Sequence, residues 1–480
     1  MIMTDLLIKH GFLLTMRGEG VGMIEDGAIA IEEGVIVAVG KTDQVLKEHP
    51  SADIEYDAKH KAVLPGFVDA HIHTRLTLLR GEGQDVPEIE WMLKTMKPFN
   101  RYIKEEHVVK GSALGVLEAV KSGTTCFCDI GRNMSLLAEK VYEPSGVRAV
   151  LGETINEIGP ESMKDPKELY VFDNEVGEIS FKKSIELIEK WNGASNDRIT
   201  CLFAPHAVDM MSKELLLRVK EEAGRRGLMT HIHVAQGGRE EIQVRKRYGK
   251  SAVAFLNEIG FLDSSVIAAH CHQTTDEEVK LIAEKGVHYV SCPSSIGLID
   301  GITPPLALYL MFGGIAAGIG TDQASGNNSH NILVEMKVAA LLNKTRHRDP
   351  TVLPAWKMLR IATIEGARCL GLDDKIGSLE PGKRADLVIL DLKRPHMTPV
   401  ITDPVRNIAP NIVYSARGDE VGTVIVDGKV IVERGKVLTL DEEKVIQDAQ
   451  KAAEEVTRSA SDDYKKAGSK LVLAMEQKLL

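Results

Sequence analysis

The middle of the chain alternates between short β-branched stretches and amphipathic helical stretches, and this rhythm constrains the fold more than any other feature. Helical patterns such as HVVKGSALGVLEAVKSG and SKELLLRVKEEAGRRG separate the apolar runs. Eight such alternations predict an α/β fold in which parallel strands close into a (β/α)8 TIM barrel. The predicted strands are Phe67–His73, Thr124–Asp129, Val147–Glu153, Thr200–His206, Met229–Ala235, Val266–His270, Val287–Cys292 and Ile315–Asp322.

The two ends of the chain have a different sequence pattern, in which short predicted strands are separated by Gly and Asp turns. DLLIKHGFLLTM, GAIAIEEG and VIVAVG come early, and RADLVILDL and GTVIVDGKVIVERGKVLTL come late. Within the last stretch, VDGKV is a strong hairpin signal because Asp-Gly separates two β-branched runs. We therefore predict one small β domain from residues 1–61 and 372–440, with the barrel domain at 62–371 between them. Residues 441–480 are rich in Ala, Glu and Lys and predict a helical tail that docks on the protein or on another copy.

Charge and composition argue against several kinds of partner. The formal net charge is -10, Lys and Arg are dispersed, and aromatic residues make up 5% of the chain. Neither a basic surface for nucleic acid nor an aromatic stacking platform is therefore expected. The first residues, MIMTDLLIKHGFLLTM, contain Lys and Asp and alternate like a strand, so neither a signal peptide nor a membrane span is predicted.

The six cysteines predict a reducing, cytoplasmic setting, because no secretory signal precedes them. Cys126 and Cys128 flank one residue, a spacing that would suit a metal pair. We prefer the interpretation that both are small apolar residues of a buried strand. The PCxxC signature is absent, which excludes a zinc site of the cytidine-deaminase type.

Histidine and aspartate recur at the ends of the predicted barrel strands, where TIM barrels carry their functional side chains. Five of the eight strand ends have such a residue. In the two His-x-His motifs, strand alternation places both imidazoles on one face. The residues are His71 and His73 after strand one, His206 after strand four, His231 and His233 in strand five, His270 after strand six, and Asp322 after strand eight.

This residue set indicates a catalytic metal site. Neutral imidazole and carboxylate are the ligands that borderline divalent cations prefer. Three histidines and one aspartate leave a coordination position for water, whose pKa falls on the metal so that it becomes a nucleophile near neutrality. The sequence therefore predicts a hydrolase with one divalent metal ion. Zn²⁺ is the default, and Fe²⁺ or Mn²⁺ suits the same ligands.

The motifs of the chain resemble those of the amidohydrolase superfamily, in the branch with cytosine, guanine and S-adenosylhomocysteine/methylthioadenosine deaminases and triazine hydrolases. The resemblance covers nearly the whole chain, and the combination of HxH at strand one with GTD at strand eight is highly specific. It implies that the terminal strands form a small β-sandwich and that the protein is a homo-oligomer, a dimer or tetramer. The matching motifs are LPGFVDAHIHT, TLLRGEG, Trp91, SGTTCFCD, APHAV, HIHVAQ, AAHC, GIGTDQASGNN and IGSLEPGKRADLVILD.

The resemblance also implies roles for the residues at the strand ends. His71 and His73 match the metal-binding HxH pair, and His233 matches the ligand from strand five. Asp322 matches the strand-eight ligand, which also takes a proton from the attacking water. His270 matches the histidine that polarises or stabilises the hydrated intermediate.

Three further residues are assigned to the substrate pocket by the same resemblance. His206, in APHAV, matches a histidine that lines the pocket, and Trp91 and Gln236 are expected to contact the substrate. His231 is the weaker ligand candidate of its pair, and a buried packing role is preferred for it.

Gln236 is the most consequential departure from the family pattern. In the deaminases this position is a glutamate that shuttles a proton to the ring nitrogen. Gln can donate and accept hydrogen bonds but cannot exchange a proton near pH 7, and such groups typically contribute about 10²–10⁴-fold to rate. Glu240 and Glu241 lie nearby in the sequence, but EEIQVRKRYG predicts the start of a helix, which places both on a solvated face.

Other departures lie in the same region. His270-Cys271-His272-Gln273 stands where His-Cys-Val-His is usual, and Ser291-Cys292-Pro293-Ser294-Ser295-Ile296 stands where His-Cys-Pro-x-Ser-Asn is usual. Gln323 replaces the glycine after the strand-eight aspartate. Changes at several strand ends together indicate a reshaped pocket around an unchanged metal site.

Three functional hypotheses remain open at this point. The first is hydrolytic deamination of an amino-substituted N-heterocycle: a purine or adenosine derivative, a pyrimidine, a pterin or a triazine. The second is hydrolysis of another C–N or C–halide bond by the same fold, with a ring amide, alkylamine or chloride as leaving group, because a better leaving group tolerates Gln236. The third, a non-catalytic relative, ranks last because all four metal ligands are kept.

Overall fold

A computed structural model describes residues 4–159, 162 and 165–480. In this part of the chain there are eighteen strands, and Met1–Met3 of the predicted first domain lie outside it. In chain order the strands are β1 (Thr4–Leu14), β2 (Met23–Glu32), β3 (Val35–Lys41), β4 (Ala52–Asp57), β5 (Lys61–Pro65), β6 (Phe67–Ile72), β7 (Thr124–Gly131), β8 (Arg148–Ile155), β9 (Ile199–Cys201), β10 (Ala204–Pro205), β11 (Thr230–Val234), β12 (Val266–His270), β13 (His288–Ser291), β14 (Ala317–Ile319), β15 (Leu387–Asp391), β16 (Val421–Val426), β17 (Lys429–Glu433) and β18 (Lys436–Val437).

All eight strands predicted for the middle of the chain are present, and they pair in parallel. One sheet has the order β10-β8-β7-β6, with β9 also on β8, and a second has the order β11-β12-β13-β14. The predicted fourth strand is divided into β9 and β10. Parallel bridges join the two sheets at both edges, between Ile72 and Asp322 on one side and between Phe203 and Thr230 on the other. The carboxyl ends of all these strands therefore meet on one side.

The strands of both termini share one sheet. Its order is β18-β17-β16-β15-β5-β1-β2-β3, and β4 pairs with β1. The predicted Asp-Gly hairpin is confirmed, since β16 and β17 are antiparallel with Val426 opposite Lys429. Asp427 and Gly428 have φ of 54° and 74°, the left-handed values that a two-residue hairpin turn of this type requires.

Helices connect the strands, and their ends follow local sequence signals. In Lys213–Arg226, the Ser212 hydroxyl accepts a hydrogen bond from the Leu215 amide, and Gly227 ends the helix in the left-handed region. The α-helices are Thr42–Glu48, Glu88–Glu90, Lys97–Asn100, Glu105–Lys121, Met134–Leu137, Glu143–Ser145, Asn174–Trp191, Ala194–Asp197, Lys213–Arg226, Gly238–Tyr248, Ala252–Glu258, Asp276–Glu284, Pro293–Ile299, Leu306–Met311, Ala324–Asn327, Ile332–His347, Ala355–Ile361, Ile364–Cys369, Ile408–Ser415, Glu442–Ser459, Ser461–Ala467 and Lys470–Glu476, with 3₁₀ turns at Thr74–Leu79, Val208–Met210 and Pro395–Met397 and π-helical turns at Trp91–Met96 and Ala138–Tyr142.

Small apolar side chains fill the space inside the parallel strands. Cys126 and Cys128 are fully buried there, beside Val68 and Ala70, so the interpretation of both cysteines as strand core is confirmed. The predicted C-terminal helix is also present, and its Ala452 and Val456 pack against Leu76, Leu79 and Phe99 of the barrel region. Among the described residues, no helix has the length and apolar character needed to span a bilayer.

Candidate metal and substrate site

The histidines and the aspartate predicted from the strand ends lie in one cluster at the carboxyl ends of the strands. Ligand atoms of His71, His73 and His233 lie within 4.8 Å of one another, and so do those of His71, His270 and Asp322. The Nε2 atoms of His71 and His73 are 3.7 Å and 3.5 Å from Asp322 Oδ1. Strands far apart in sequence thus bring these side chains to a single point.

Backbone carbonyls fix the tautomers of two of these histidines. His73 Nδ1 donates to the Ile130 carbonyl at 2.7 Å, and His233 Nδ1 donates to the His206 carbonyl at 2.5 Å. In the neutral rings the Nε2 atoms therefore carry lone pairs, yet these two Nε2 atoms are only 3.3 Å apart. Two lone pairs at that distance repel each other unless a cation lies between them, which is the arrangement that metal-binding histidines adopt.

Burial keeps the imidazoles neutral. Burial together with the charge of His73 lowers the pKa of His233 to about 4, and burial together with the neighbouring histidines lowers the pKa of His71 well below its ordinary value. His71 Nε2 is buried and lacks a hydrogen-bond partner among the described residues. A buried polar atom without a partner is costly, so this donor set fits a divalent ion with N and O ligands.

His231 lies behind the cluster, where the sequence analysis placed it. Its Nε2 is 3.3 Å from His71 Nδ1, and both rings are fully buried. Burial lowers the pKa of His231 to about 3. Its contact orients the His71 ring.

Asp322 is oriented by a serine to which the sequence analysis gave no role. The Ser295 hydroxyl donates to Asp322 Oδ2 at 2.6 Å, and the Gln323 amide contacts the same hydroxyl at 3.5 Å. Asp322 and His270 have φ of 59° and 75°, values uncommon for residues with a side chain and typical of strained functional sites. Ser295 is the serine that the motif after strand seven keeps, and the departure Gln323 after strand eight contacts the Asp322 carboxylate through it.

A pocket of about 670 Å³ opens above the cluster. Of the residues predicted for the site, His71 alone lies beneath the pocket wall rather than in it. His206 Nδ1, Gln236 Nε2 and His270 Nδ1 are buried without hydrogen-bond partners among the described residues, so all three are available to a ligand. The predicted residues in the wall are His73, Trp91, His206, His233, Gln236, His270 and Asp322.

Trp91 forms part of the outer wall through the π-helical turn Trp91–Met96. Its ring lies directly against Gly83, where a β-carbon would be 2.5 Å from the ring. Only glycine therefore allows the indole this position. The indole nitrogen of Trp91 is buried without a hydrogen-bond partner among the residues described.

The prediction that Glu240 lies on a solvated face of its helix was wrong. This residue is fully buried, and its carboxylate accepts hydrogen bonds from the Gln236 amide at 2.8 Å and the Val208 amide at 3.3 Å. Burial raises the pKa of Glu240 to about 8. Glu241 is only partly exposed. Helical periodicity could not reveal this, because Glu240 is buried through its hydrogen bonds to two strand-end loops.

Sequence reasoning also missed two ion pairs of one buried arginine and a buried histidine–aspartate contact near the pocket wall. Glu88 and Asp209 both pair with Arg239, with a Glu88–Arg239 distance of 2.9 Å. His272 Nε2 lies 2.6 Å from Asp300 Oδ2. The unusual His272 was visible in the sequence as a motif departure, but its partner twenty-eight residues later was not.

Comparison with known proteins agrees with this geometry. Residues 62–431 match the model of the Amidohydrolase family, and residues 27–52 match an Imidazolonepropionase-like composite domain of bacteria. A 5'-deoxyadenosine deaminase of Methanosarcina acetivorans is 39% identical over 461 residues, covering 96% of this chain and 100% of the relative. A 5-methylthioadenosine/S-adenosylhomocysteine deaminase of Moorella thermoacetica is 37% identical, covering 92% of this chain and 97% of that protein.

Solved structures show the same architecture. A zinc-bound adenosine deaminase from Xanthomonas campestris superimposes with a TM-score of 0.86 at 29% identity, covering 95% of this chain and 99% of that one. An atrazine chlorohydrolase from Arthrobacter aurescens TC1 superimposes with a TM-score of 0.78 at 22% identity, covering 93% of this chain and 100% of that one. The second likeness supports the fold alone.

Proposed function

Because the chain belongs to the amidohydrolase family, we propose that it is a metal-dependent deaminase that removes ammonia from the adenine ring of an adenosine derivative. It is a hydrolase of carbon–nitrogen bonds other than peptide bonds. The observation that carries the proposal is the cluster of His71, His73, His233 and Asp322 beneath a pocket. The deaminase relatives, which span nearly the whole chain, supply the substrate class.

In this proposal His71, His73, His233 and Asp322 hold one divalent ion, with Zn²⁺ first and Fe²⁺ or Mn²⁺ as alternatives. When bound, such an ion lowers the pKa of water and polarises the carbon under attack. Asp322 is the base, because its Oδ1 faces the histidines while Ser295 holds its Oδ2. His270 contacts the substrate atom that gains charge, and its buried Nδ1 is available for that contact.

His206, Trp91 and Gln236 complete the proposed substrate site. The Gln236 side-chain amide is buried and unpaired among the described residues, so it can donate a hydrogen bond to a ring nitrogen. It cannot deliver a proton there. The proposed deaminase is therefore slow to protonate the ring nitrogen, or it takes this proton from solvent in the pocket.

The proposed fold in detail is a (β/α)8 barrel, residues 62–371, with a β-sandwich from residues 1–61 and 372–440 and a tail at 441–480. β5 pairs with both β1 and β15, so it is the connection that enters the barrel. The parallel bridges at both sheet edges support closure. A cytoplasmic location and a homo-oligomeric state remain predictions from the sequence.

The decisive experiment is ammonia release from adenosine, 5'-deoxyadenosine, S-adenosylhomocysteine, guanine and cytosine with zinc-loaded protein. We expect release from the adenine nucleosides and none from metal-free protein. If the zinc-loaded protein released ammonia from none of these compounds, deamination would be contradicted. Turnover without ammonia on substrates with an alkylamine or halide leaving group would then support the alternative, which Gln236 favours.

A further inference from the structure

One buried carboxylate joins the two segments between which Asp322 lies. Glu335, in the helix Ile332–His347, is fully buried. Its Oε2 accepts a hydrogen bond from the Ser294 amide at 3.1 Å, and its Oε1 accepts one from the Asn327 side chain at 3.0 Å. Glutamate is rarely buried completely, because its charge is costly to remove from water. The position of Glu335 therefore indicates a specific role for this side chain.

The contact with Ser294 leads to the carboxylate of Asp322. Ser294 and Ser295 lie in the first turn of the helix Pro293–Ile299. The Ser295 hydroxyl donates to Asp322 Oδ2 at 2.6 Å, while Asp322 Oδ1 faces the histidines of the cluster. Because the two serines are adjacent in one helical turn, the carboxylate that holds the Ser294 amide also fixes where the Ser295 hydroxyl lies.

The contact with Asn327 leads to the backbone of Asp322. Asn327 Nδ2 also donates to the Thr321 carbonyl at 2.7 Å, and Thr321 directly precedes Asp322. Asp322 has a φ of 59°, a conformation that is uncommon for a residue with a side chain and persists only where the surroundings determine it. Glu335 thus orients the side-chain amide that holds this stretch of backbone.

Both contacts depend on the two acceptor oxygens of Glu335. The Ser294 amide and the Asn327 side-chain nitrogen are donors, so each must meet an oxygen that accepts. Glutamine has nearly the same shape but offers one acceptor oxygen, and its NH₂ group would face a second donor. Rotating the Asn327 amide would not repair this contact, because its oxygen would then face the Thr321 carbonyl.

We propose that Glu335 is a positioning residue for Asp322. Ser295, Asp322 and Gln323 line the pocket, and Glu335 is buried behind them. Through Ser294 and Asn327 it holds both sides of Asp322 and thereby directs Oδ1 toward the histidine ligands. The proposal rests on the function proposed above, in which Asp322 is both a metal ligand and the base.

Glu335→Gln is the first test, because it keeps the volume of the side chain and removes one acceptor. We expect the zinc affinity of the protein to fall about 10- to 100-fold, the usual effect of losing a group that orients a metal ligand. Competition of the zinc-loaded protein with a chromogenic chelator measures this affinity. The kcat for ammonia release should fall by a similar factor, about 10- to 100-fold, while KM changes less than about threefold because substrate binding is retained.

Double variants test the two routes from Glu335 to Asp322. Ser295→Ala and Asn327→Ala should each weaken zinc binding by themselves. If Glu335 acts through these residues, Glu335→Gln should have a smaller effect on zinc affinity in either variant than in the wild-type protein. Fold-changes that simply multiply in both double variants would overturn the proposal.

Asn343→Ala is the matched control on the same helix. Asn343 is fully buried, accepts the Ala307 amide at 3.0 Å and donates to the Ala339 carbonyl at 3.0 Å, and neither partner belongs to the metal cluster. This variant should have a lower melting temperature and unchanged zinc affinity. A Glu335→Gln variant that behaves in the same way would show a role in stability alone and would overturn the proposal.

The zinc measurement also separates this proposal from the deaminase proposal, because it needs no turnover. If the wild-type protein released ammonia from no adenine compound but Glu335→Gln still weakened zinc binding through Ser295 and Asn327, the positioning role would be upheld and deamination alone contradicted. If the wild-type protein released ammonia and Glu335→Gln changed neither zinc affinity nor kcat, the positioning role alone would be overturned.

Discussion

The imidazoles of His71, His73 and His233 are locked by their neighbours with their Nε2 atoms facing one point. We therefore predict that His71→Ala lowers bound metal, and that His71→Ala and Asp322→Ala each abolish turnover. The reason is that three nitrogen ligands and one base are all needed for water activation. Metal content by elemental analysis and ammonia release measure the two effects.

A control for this prediction is His288→Gln. His288 is also buried and bonded to a carbonyl, that of Cys369, but it lies at the start of β13, away from the cluster. The His288→Gln variant should therefore bind metal and release ammonia like the wild-type protein. Normal turnover of either alanine variant would refute the site assignment.

Gln236 limits the reaction if the chain is a deaminase. Gln236→Glu restores a group that can carry a proton beside the ring nitrogen, so we predict that kcat for ammonia release rises by up to about 10²-fold. Gln236→Ala removes the hydrogen bond as well and should lower kcat. Initial rates of ammonia release on the best substrate measure both changes.

The backbone around Gln236 should tolerate this change. The contact of Glu240 with Gln236 is to the main-chain amide, so the Gln236 side chain can be replaced without loss of that contact. If Gln236→Glu is unchanged or inactive on every substrate that turns over, a missing proton carrier does not limit this enzyme.

At the scale of elements, the sequence predicted which side chains share a face wherever one residue type recurs with the two-residue period of a strand. The alternation in His71–His73 and His231–His233 predicted shared faces, and the structure confirms them. The burial of Glu240 and the His272–Asp300 contact were not predictable, because each depends on a hydrogen bond to a loop about thirty residues away, at Val208 and at Asp300. The periodic pattern of one segment does not depend on residues elsewhere in the chain, so it cannot reveal those partners.

The C-terminal helices Glu442–Ser459 and Ser461–Ala467 contact the segment that precedes the pocket wall through the half-buried carboxylate of Glu82. Thr457 and Tyr464 hydroxyls each donate to Glu82 at 2.8 Å, and burial raises the pKa of Glu82. We predict that Tyr464→Phe costs about 1–3 kcal/mol of stability, because it leaves part of a desolvated carboxylate unpaired. It should also raise KM, since the segment after Glu82 contains Glu88 and Trp91 of the pocket.

Thermal unfolding and substrate saturation curves test this role. Asp448→Asn is the matched control on the preceding helix Glu442–Ser459, because Asp448 forms only an exposed pair with Lys444, and such pairs contribute little. A Tyr464→Phe variant with unchanged stability and KM would show that the tail does not support the wall.

At the scale of the whole molecule, the catalytic cluster depends on three sheets: the two parallel sheets from the middle of the chain and the sheet that the terminal strands form. The parallel strands supply the ligands, while β5 of the terminal sheet pairs with β15 and leads directly into β6. A fully buried ion pair joins the parallel strands to the terminal sheet. Arg148 of β8 contacts Asp386 through Nε at 2.7 Å and Nη2 at 3.0 Å, and Asp386 also accepts the Asp427 amide at 2.8 Å.

Removing one partner of this pair should lower the free energy of unfolding of the protein without changing the residues of the catalytic cluster. Arg148→Met leaves the Asp386 carboxylate buried and uncompensated, so we predict a loss of about 3–5 kcal/mol. The double variant Arg148→Met/Asp386→Asn removes both charges and should recover part of that loss. Denaturant midpoints measure both effects, and kcat at low temperature should stay near the wild-type value. Additive losses in the double variant would show that the two side chains are energetically independent and that another contact joins the sheets.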